Sequence, residues 1–304
     1  MLVALSALGR QVCPVMRVPV LLLASALAVA ASPVIDDRGL RSKFQEELAK
    51  VAEREDHVSG KDLAAQLEKA RKRKTVQLPT RPASDGKMRY DDEVKGVVMV
   101  SSAYKCDRCD EWHVSGVASG WVLSADGLMV TNYHVLADTD KEVYGVMTLD
   151  GKFAEVTELL LADPAADLAV FRVAGEGFTP LPLAKEAGVG EAVHVISHPD
   201  GRYFTYTAGR VSRFYKRTGK SRRPSTWMAI TADYARGSSG GPVFNDRGEV
   251  VGMVSSTSSL YYRGEETEKE KQKGPLQMVI KNCVSLPELR RALVEEGKTA
   301  KIGE

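Results

Sequence analysis

The sequence predicts an all-β, antiparallel fold with a helical extension before it and one helix closing it. Three observations predict this. From Asp91 onward short apolar runs follow one another: "VVMV" 97–100, "GWVL" 120–123, "LMVTNY" 128–133, "YGVMTL" 144–149, "LAVFRV" 168–173, "AVHVIS" 192–197, "FTYTAGRVS" 204–212, "WMAIT" 227–231, "EVVGMVSS" 249–256 and "LQMVI" 276–280. Turn signals separate them, among them Asp126-Gly127 and Asp150-Gly151, where glycine accepts the positive φ of a tight hairpin. No long stretch of helical period interrupts them, which disfavours a parallel α/β sheet and leaves a barrel or sandwich.

The N-terminal elements come first. Arg17 precedes the apolar run "VPVLLLASALAVAA", Val18 to Ala31, which ends in the small-residue pattern Ala28-Val29-Ala30. It is short for a membrane span and has the layout of a secretory signal. Residues 1–31 are read as that signal, with Met16 as the alternative start. No cysteine follows the run closely, which speaks against a lipid anchor. The expectation is an exported chain, periplasmic or secreted, with no stable membrane insertion after cleavage.

Residues 32–74 form the charged helical extension. Phe44, Leu48 and Val51 share one face, and Leu63, Leu67 and Ala70 share another. Ser59 with Asp62 resembles a capping box. Both stripes are narrow, so the helices are read as accessory, outside the core and suited to assembly. Residues 75–90, with prolines, Ser and Gly, read as a linker, 91–297 as the main domain and 298–304 as a tail. Near the end, Ser285 with Glu288 forms a second capping-box pattern, Pro287 suits a first helical turn, and Gly297 follows. The charged stretch 263–274 reads as an exposed loop.

A net charge of +2 over 304 residues gives no polyanion-binding surface. The basic runs Arg71–Lys74 and Lys216–Arg223 are read as solvated faces, with no nucleic-acid partner. Cys13 falls within the signal, leaving Cys106, Cys109 and Cys283. Cys106 and Cys109 close a disulfide loop in one reading. In the other they join His113 as zinc ligands, with Cys283 as a candidate fourth. A c-type haem is excluded, because Asp110 stands where its histidine would follow.

The stretch with most chemical content is "GSSGGPVF", 237–244. A serine hydroxyl is a weak nucleophile until an imidazole takes its proton and a carboxylate orients that imidazole. All five histidines (His57, His113, His134, His194 and His198) precede Ser239. That order excludes the α/β-hydrolase elbow, whose histidine follows its serine. The order His, Asp, Ser remains. "TNYHV" delivers His134 at the end of a hairpin, and "ADLAVFRV" puts Asp167 just before a strand. His198, in "SHPDG", reads as a turn residue.

On these three pieces the chain resembles a trypsin-like serine protease of the chymotrypsin fold, most closely the HtrA/Deg-type catalytic domain, over about residues 92–283. The resemblance implies two antiparallel six-stranded barrels and an exported endopeptidase acting on protein or peptide substrates without a cofactor or catalytic metal. It implies Ser239 as nucleophile, His134 as general base and acid, Asp167 as its orienting partner, and the N–H groups of Gly237 and Ser239 as an oxyanion hole. Asp233, six residues before the nucleophile, would favour basic substrates if it lay at the base of the primary pocket. A wall built from Met253, Val254 and Ser255 would favour small apolar ones, the preferred expectation. The chain departs from the family ahead of the nucleophile, where "TADYARG" lacks an Asn-Pro, and the segment after Ser239 is too short for an HtrA-type PDZ domain. The alternative reading is a catalytically silent protease-fold binding module.

Overall fold

A computed structural model of the chain describes residues 32–73, 75–78, 86–106, 108–109, 111–137, 141–218, 223–262 and 274–295. The apolar run read as a signal and the tail 298–304 lie outside the described residues, as does nearly all of the charged loop.

Two helices come first. In α1 (Asp37–Ala52) the Asp36 side chain accepts the Gly39 N–H at 2.9 Å. In α2 (Gly60–Lys72) the expected capping box is formed, the Ser59 hydroxyl and Asp62 carboxylate each accepting the other's backbone N–H. These helices are not peripheral to the core. Phe44 and Leu48 are fully buried among Val97, Met99, Trp121 and Met147, and Leu63 and Leu67 among Val98, Val100 and Met129. Burying each such side chain contributes about 1.5–3 kcal/mol, so a stripe of three suffices to dock a helix. Its narrowness misled the sequence reading.

The stretch read as a linker holds β1 (Val76–Leu78). After α3 (Tyr90–Glu93) the chain forms β2 (Val97–Lys105), β3 (Trp112–Val114), β4 (Ala118–Val122), β5 (Leu128–Thr131), the short helix α4 (Tyr133–Leu136), β6 (Val143–Met147), β7 (Phe153–Asp163) and β8 (Leu168–Val173). These strands make a seven-stranded antiparallel sheet in the order β3-β2-β4-β5-β8-β7-β6, brought round into a ring by a further β2–β6 pairing. Gly127 and Gly151 take the positive φ that the two hairpin turns require, +87° and +77°.

The second half is β9 (Ala192–Ser197), β10 (Thr205–Thr218), β11 (Pro224–Ile230), β12 (Pro242–Phe244), β13 (Val250–Tyr261) and β14 (Leu276–Ser285), closed into a barrel in the order β10-β11-β14-β13-β12-β9. The chain then forms α5 (Leu286–Ala292) and β15 (Leu293–Glu295), which pairs in parallel with β1. The capping box expected at α5 does not form. The Ser285 hydroxyl donates to Thr226 O (2.7 Å), and Glu288 accepts the Thr226 N–H (2.9 Å), so both side chains serve β11 instead. Among the described residues no helix is long and apolar enough to cross a membrane.

Candidate active site

His134 stands on α4, directly after β5, and Asp167 on the turn between β7 and β8. The imidazole Nδ1 lies 3.0 Å from both carboxylate oxygens of Asp167, and the His134 N–H donates to Oδ1 at 3.2 Å. Asp167 adopts a left-handed backbone, φ +55°, a conformation that aspartate tolerates better than most residues. Its carbonyl accepts from Asn132 Nδ2 (2.9 Å) and its Oδ2 from the Ser255 hydroxyl (2.6 Å). The bond to Asp167 raises the pKa of His134 above its ordinary value, outweighing the opposing effect of burial. With Nδ1–H committed to the carboxylate, Nε2 is the basic nitrogen left to work.

The turn carrying Asp167 is tied to the closed barrel. Asp163 accepts the N–H groups of Ala165 (2.9 Å) and Ala166 (3.2 Å), folding "DPAAD" back on itself. Its Oδ2 also meets Arg223 (2.8 Å) and Arg291, both of which reach Glu288 at 3.1 Å. Burial alone would raise the Asp163 pKa, but these guanidinium groups and the Ala166 N–H lower it on balance. Ser225, at the start of β11, donates to Ala165 O (2.8 Å).

Ser239 comes from the barrel side, on the turn before β12. Its hydroxyl donates to Ser255 O at 3.1 Å, so in this rotamer its proton is not given to the imidazole. Ser255 thereby touches two members of the constellation, Asp167 through its hydroxyl and Ser239 through its carbonyl. The turn is strongly held. Asp200 N–H donates to Arg236 O (2.6 Å), the Ser119 hydroxyl to Gly237 O (3.0 Å), and the Ser119 N–H to Ser239 O (2.8 Å). With Arg236 O turned to Asp200, the Gly237 N–H across the same planar peptide points the opposite way. Among the described residues no protein acceptor takes the N–H of Gly237 or of Ser239. Gly237 has φ +95°, and a Cβ there would lie 2.4 Å from His198 O. Only glycine fits.

A cleft of about 780 Å³ opens beside His134 and Asp167, lined also by Arg71, Tyr133, Arg217 and Trp227 among others. Arg71 and Arg217 belong to the two basic runs, so among the described residues each run sends a guanidinium into the cleft. Arg71 lies over the Tyr133 ring and Arg217 over that of Trp227, 5.4 and 4.8 Å from the centroids.

The remaining expected residues are placed elsewhere. Met253 and Val254 are fully buried in the core, and Ser255 is turned to Asp167. The Asp233 side chain is 86% exposed and pairs with Lys281 at 3.2 Å. His198 flanks a one-turn helix and is wholly buried. Its Nδ1 accepts the Phe204 N–H (2.9 Å), and burial pushes its pKa down to about 4. His194 pairs with Asp246 (2.8 Å) and Tyr206, and His57 with Glu142 (3.1 Å). Cys106 and Cys109 are not joined by a disulfide, and Cys109 Sγ lies 3.0 Å from His113 Nε2. Cys283 is buried against the Tyr234 hydroxyl in the barrel, outside that cluster.

Residues 118–253 match the family model of the trypsin-like peptidase domain, a span that holds His134, Asp167 and Ser239. The chain carries a trypsin-like peptidase domain. Over this region it is homologous to a "Probable periplasmic serine endoprotease DegP-like" of Ectopseudomonas mendocina, 38% identical over 46% of the chain and 29% of the relative. It is likewise similar to serine endoprotease DegS of Haemophilus influenzae, 30% identical over 50% of the chain and 44% of the relative. The mitochondrial serine protease HTRA2 of Bos taurus is 37% identical over 44% of the chain and 30% of the relative. The chain thus matches less than half the length of each.

Sequence reasoning missed three contributors to the site. Ser255 was read as pocket wall and not as a carboxylate partner. Arg71 lay in a helix read as accessory. Asp163 had only its place in "ADPAAD" to mark it, and that Asp-Pro turn signal was readable.

Proposed function

We propose that the chain is an exported serine endopeptidase built on two chymotrypsin-like barrels, the ringed sheet serving as the first. It hydrolyses peptide bonds in proteins or peptides through an acyl-enzyme. One observation carries the reading. A carboxylate-oriented imidazole from one half and a serine turn with two uncommitted N–H groups from the other share Ser255 as a common partner.

In the proposed mechanism the Ser239 hydroxyl leaves Ser255 O and gives its proton to His134 Nε2 as Oγ attacks the scissile carbonyl carbon. The Gly237 and Ser239 N–H groups then receive the developing oxyanion, each worth roughly a hundred- to a thousandfold in rate. His134 returns the proton to the leaving amine, and water releases the acyl group by the same route. The periplasmic relative supports export.

Specificity for small apolar residues is favoured by Tyr234. This side chain is buried five residues before Ser239, its hydroxyl against Asn282 O (2.8 Å) and Ser256 O (3.0 Å). It takes up space between the nucleophile turn and the β13–β14 wall, while Asp233 stays in solvent. A cleavage profile dominated by Arg and Lys would overturn this preference.

The silent-module alternative draws on the Ser239 hydroxyl being held by Ser255. Labelling with a fluorophosphonate decides between them: the wild type is expected to label at Ser239, and Ser239→Ala not at all. A folded wild type that resists the reagent would support the binding module instead.

A further inference from the structure

We propose that Cys106, Cys109 and His113 form a site for a thiophilic divalent cation, zinc in the first instance. The β2–β3 hairpin builds the cluster. Tyr104 pairs with His113 and Lys105 with Trp112, and the Cys106 N–H donates to Glu111 O at 3.0 Å, closing the tip. The sulfur atoms and the imidazole ligand atom all lie within 4.8 Å of one another, with Cys109 Sγ and His113 Nε2 at 3.0 Å. Around a tetrahedral zinc, bonds of about 2.3 Å to sulfur and 2.0 Å to nitrogen separate such ligands by about 3.5–3.8 Å. The 3.0 Å contact and the 4.8 Å limit each differ from that range by about an ångström or less, so side-chain rotation on that scale closes the site.

The imidazole is already oriented. It stacks on Tyr104 with ring centroids 5.8 Å apart, and Lys141 lies 5.1 Å from the Tyr104 centroid. Thiolate and imidazole donors select zinc or copper(I) over magnesium or calcium. Cys109 is exposed, which leaves the fourth position to solvent. A disulfide would use two of the three groups and give His113 no part. Nothing in the proposed hydrolysis uses this cluster, and the site does not depend on that reading.

A bound cation would stiffen more than the tip. Just after β3, the Ser115 N–H donates to Ser102 O (2.9 Å) and the two hydroxyls meet at 2.5 Å. The same segment runs on to Ser119, which holds the Ser239 turn. Cation loading is therefore expected to raise thermal stability.

The test uses the full chain, purified reduced without chelator and titrated with zinc, then with cobalt(II). Expected are one equivalent of zinc, a thiolate-to-cobalt charge-transfer band with tetrahedral ligand-field absorption, and a raised Tm. Cys109→Ser and His113→Ala should each weaken zinc at least about 100-fold, the upper end of the loss from removing a mere supporting partner. Should a variant fail to fold, peptide-resolved alkylation of the wild type still decides, because zinc should shield Cys106 and Cys109 together. The proposal is overturned by a Cys106–Cys109 disulfide in chain isolated with zinc present. It is overturned equally by thiols that alkylate at the same rate with and without zinc, or by zinc uptake unchanged in folded variants.

Discussion

The two halves of the domain bring different things to the same place. The ringed sheet packs against two helices and supplies an imidazole paired with a carboxylate, His134 and Asp167, from short segments at strand ends. The closed barrel supplies Ser239, the two free N–H groups and Ser255, held by backbone bonds that leave little freedom. In the proposed mechanism neither half is competent alone. The difference teaches that the proposed proton-handling groups are held largely by side chains and the proposed oxyanion donors by backbone, so the two should fail differently when perturbed.

His134→Ala should break the contribution of the first half altogether, lowering kcat by roughly a millionfold, because triad members act as a unit. In the wild type, kcat/KM should rise with pH through a midpoint above the ordinary histidine value, since only neutral imidazole accepts the serine proton. Stability runs the other way. A raised folded-state pKa makes the contribution of the His134–Asp167 pair complete below the unfolded-state value, and it is lost as pH rises through the folded one. Kinetic and thermal-melt profiles that move together with pH would contradict this assignment.

A substitution in the barrel half should cost less rate. Gly237→Ala puts a Cβ against His198 O and strains a positive φ, so the peptide must turn and withdraw its N–H. The expected loss is about a hundred- to a thousandfold in kcat with KM little changed. Fluorophosphonate labelling should slow in parallel. Full activity in this variant would remove Gly237 from the oxyanion hole.

The smallest effect is expected between the halves. Asp163→Asn weakens the bonds to Arg223 and Arg291 and should cost about 2 kcal/mol of stability, the scale of hydrogen bonds to charged groups. Because the Asp163 pKa is lowered in the fold, the wild type's advantage should be present above the unfolded-state pKa. It should fade as pH falls through the folded one. Denaturant melts of both proteins from neutral to acid pH measure this directly, and parallel curves would argue that the network does not bind the halves.

The residues of the proposed triad each sit in a local pattern that the sequence displays: Ser239 in a glycine-rich turn, His134 ending a hairpin, Asp167 opening a strand. The turns at Gly127 and Gly151 were legible for the same reason. Ser255 was not, since its role depends on Asp167, distant in the chain and brought close only by docking of the two halves. The burial of α1 and α2 was hidden by charge-rich faces, and at α5 the true partner of Ser285 and Glu288 was Thr226 in another strand. Local chemistry reads from sequence. Contacts across the halves do not.

The parallel pairing of β1 with β15 has a consequence for how the chain assembles. Val76 meets Leu293 and Leu78 meets Glu295, so nearly the whole peptidase domain lies between the two strands. A contact of such sequence separation carries a large loop-closure cost if made early. Once the sheet and barrel have condensed, their packing already brings these ends together and most of that cost has been met. The clasp therefore belongs to the end of folding, and a growing chain cannot close it until residues 293–295 have been made.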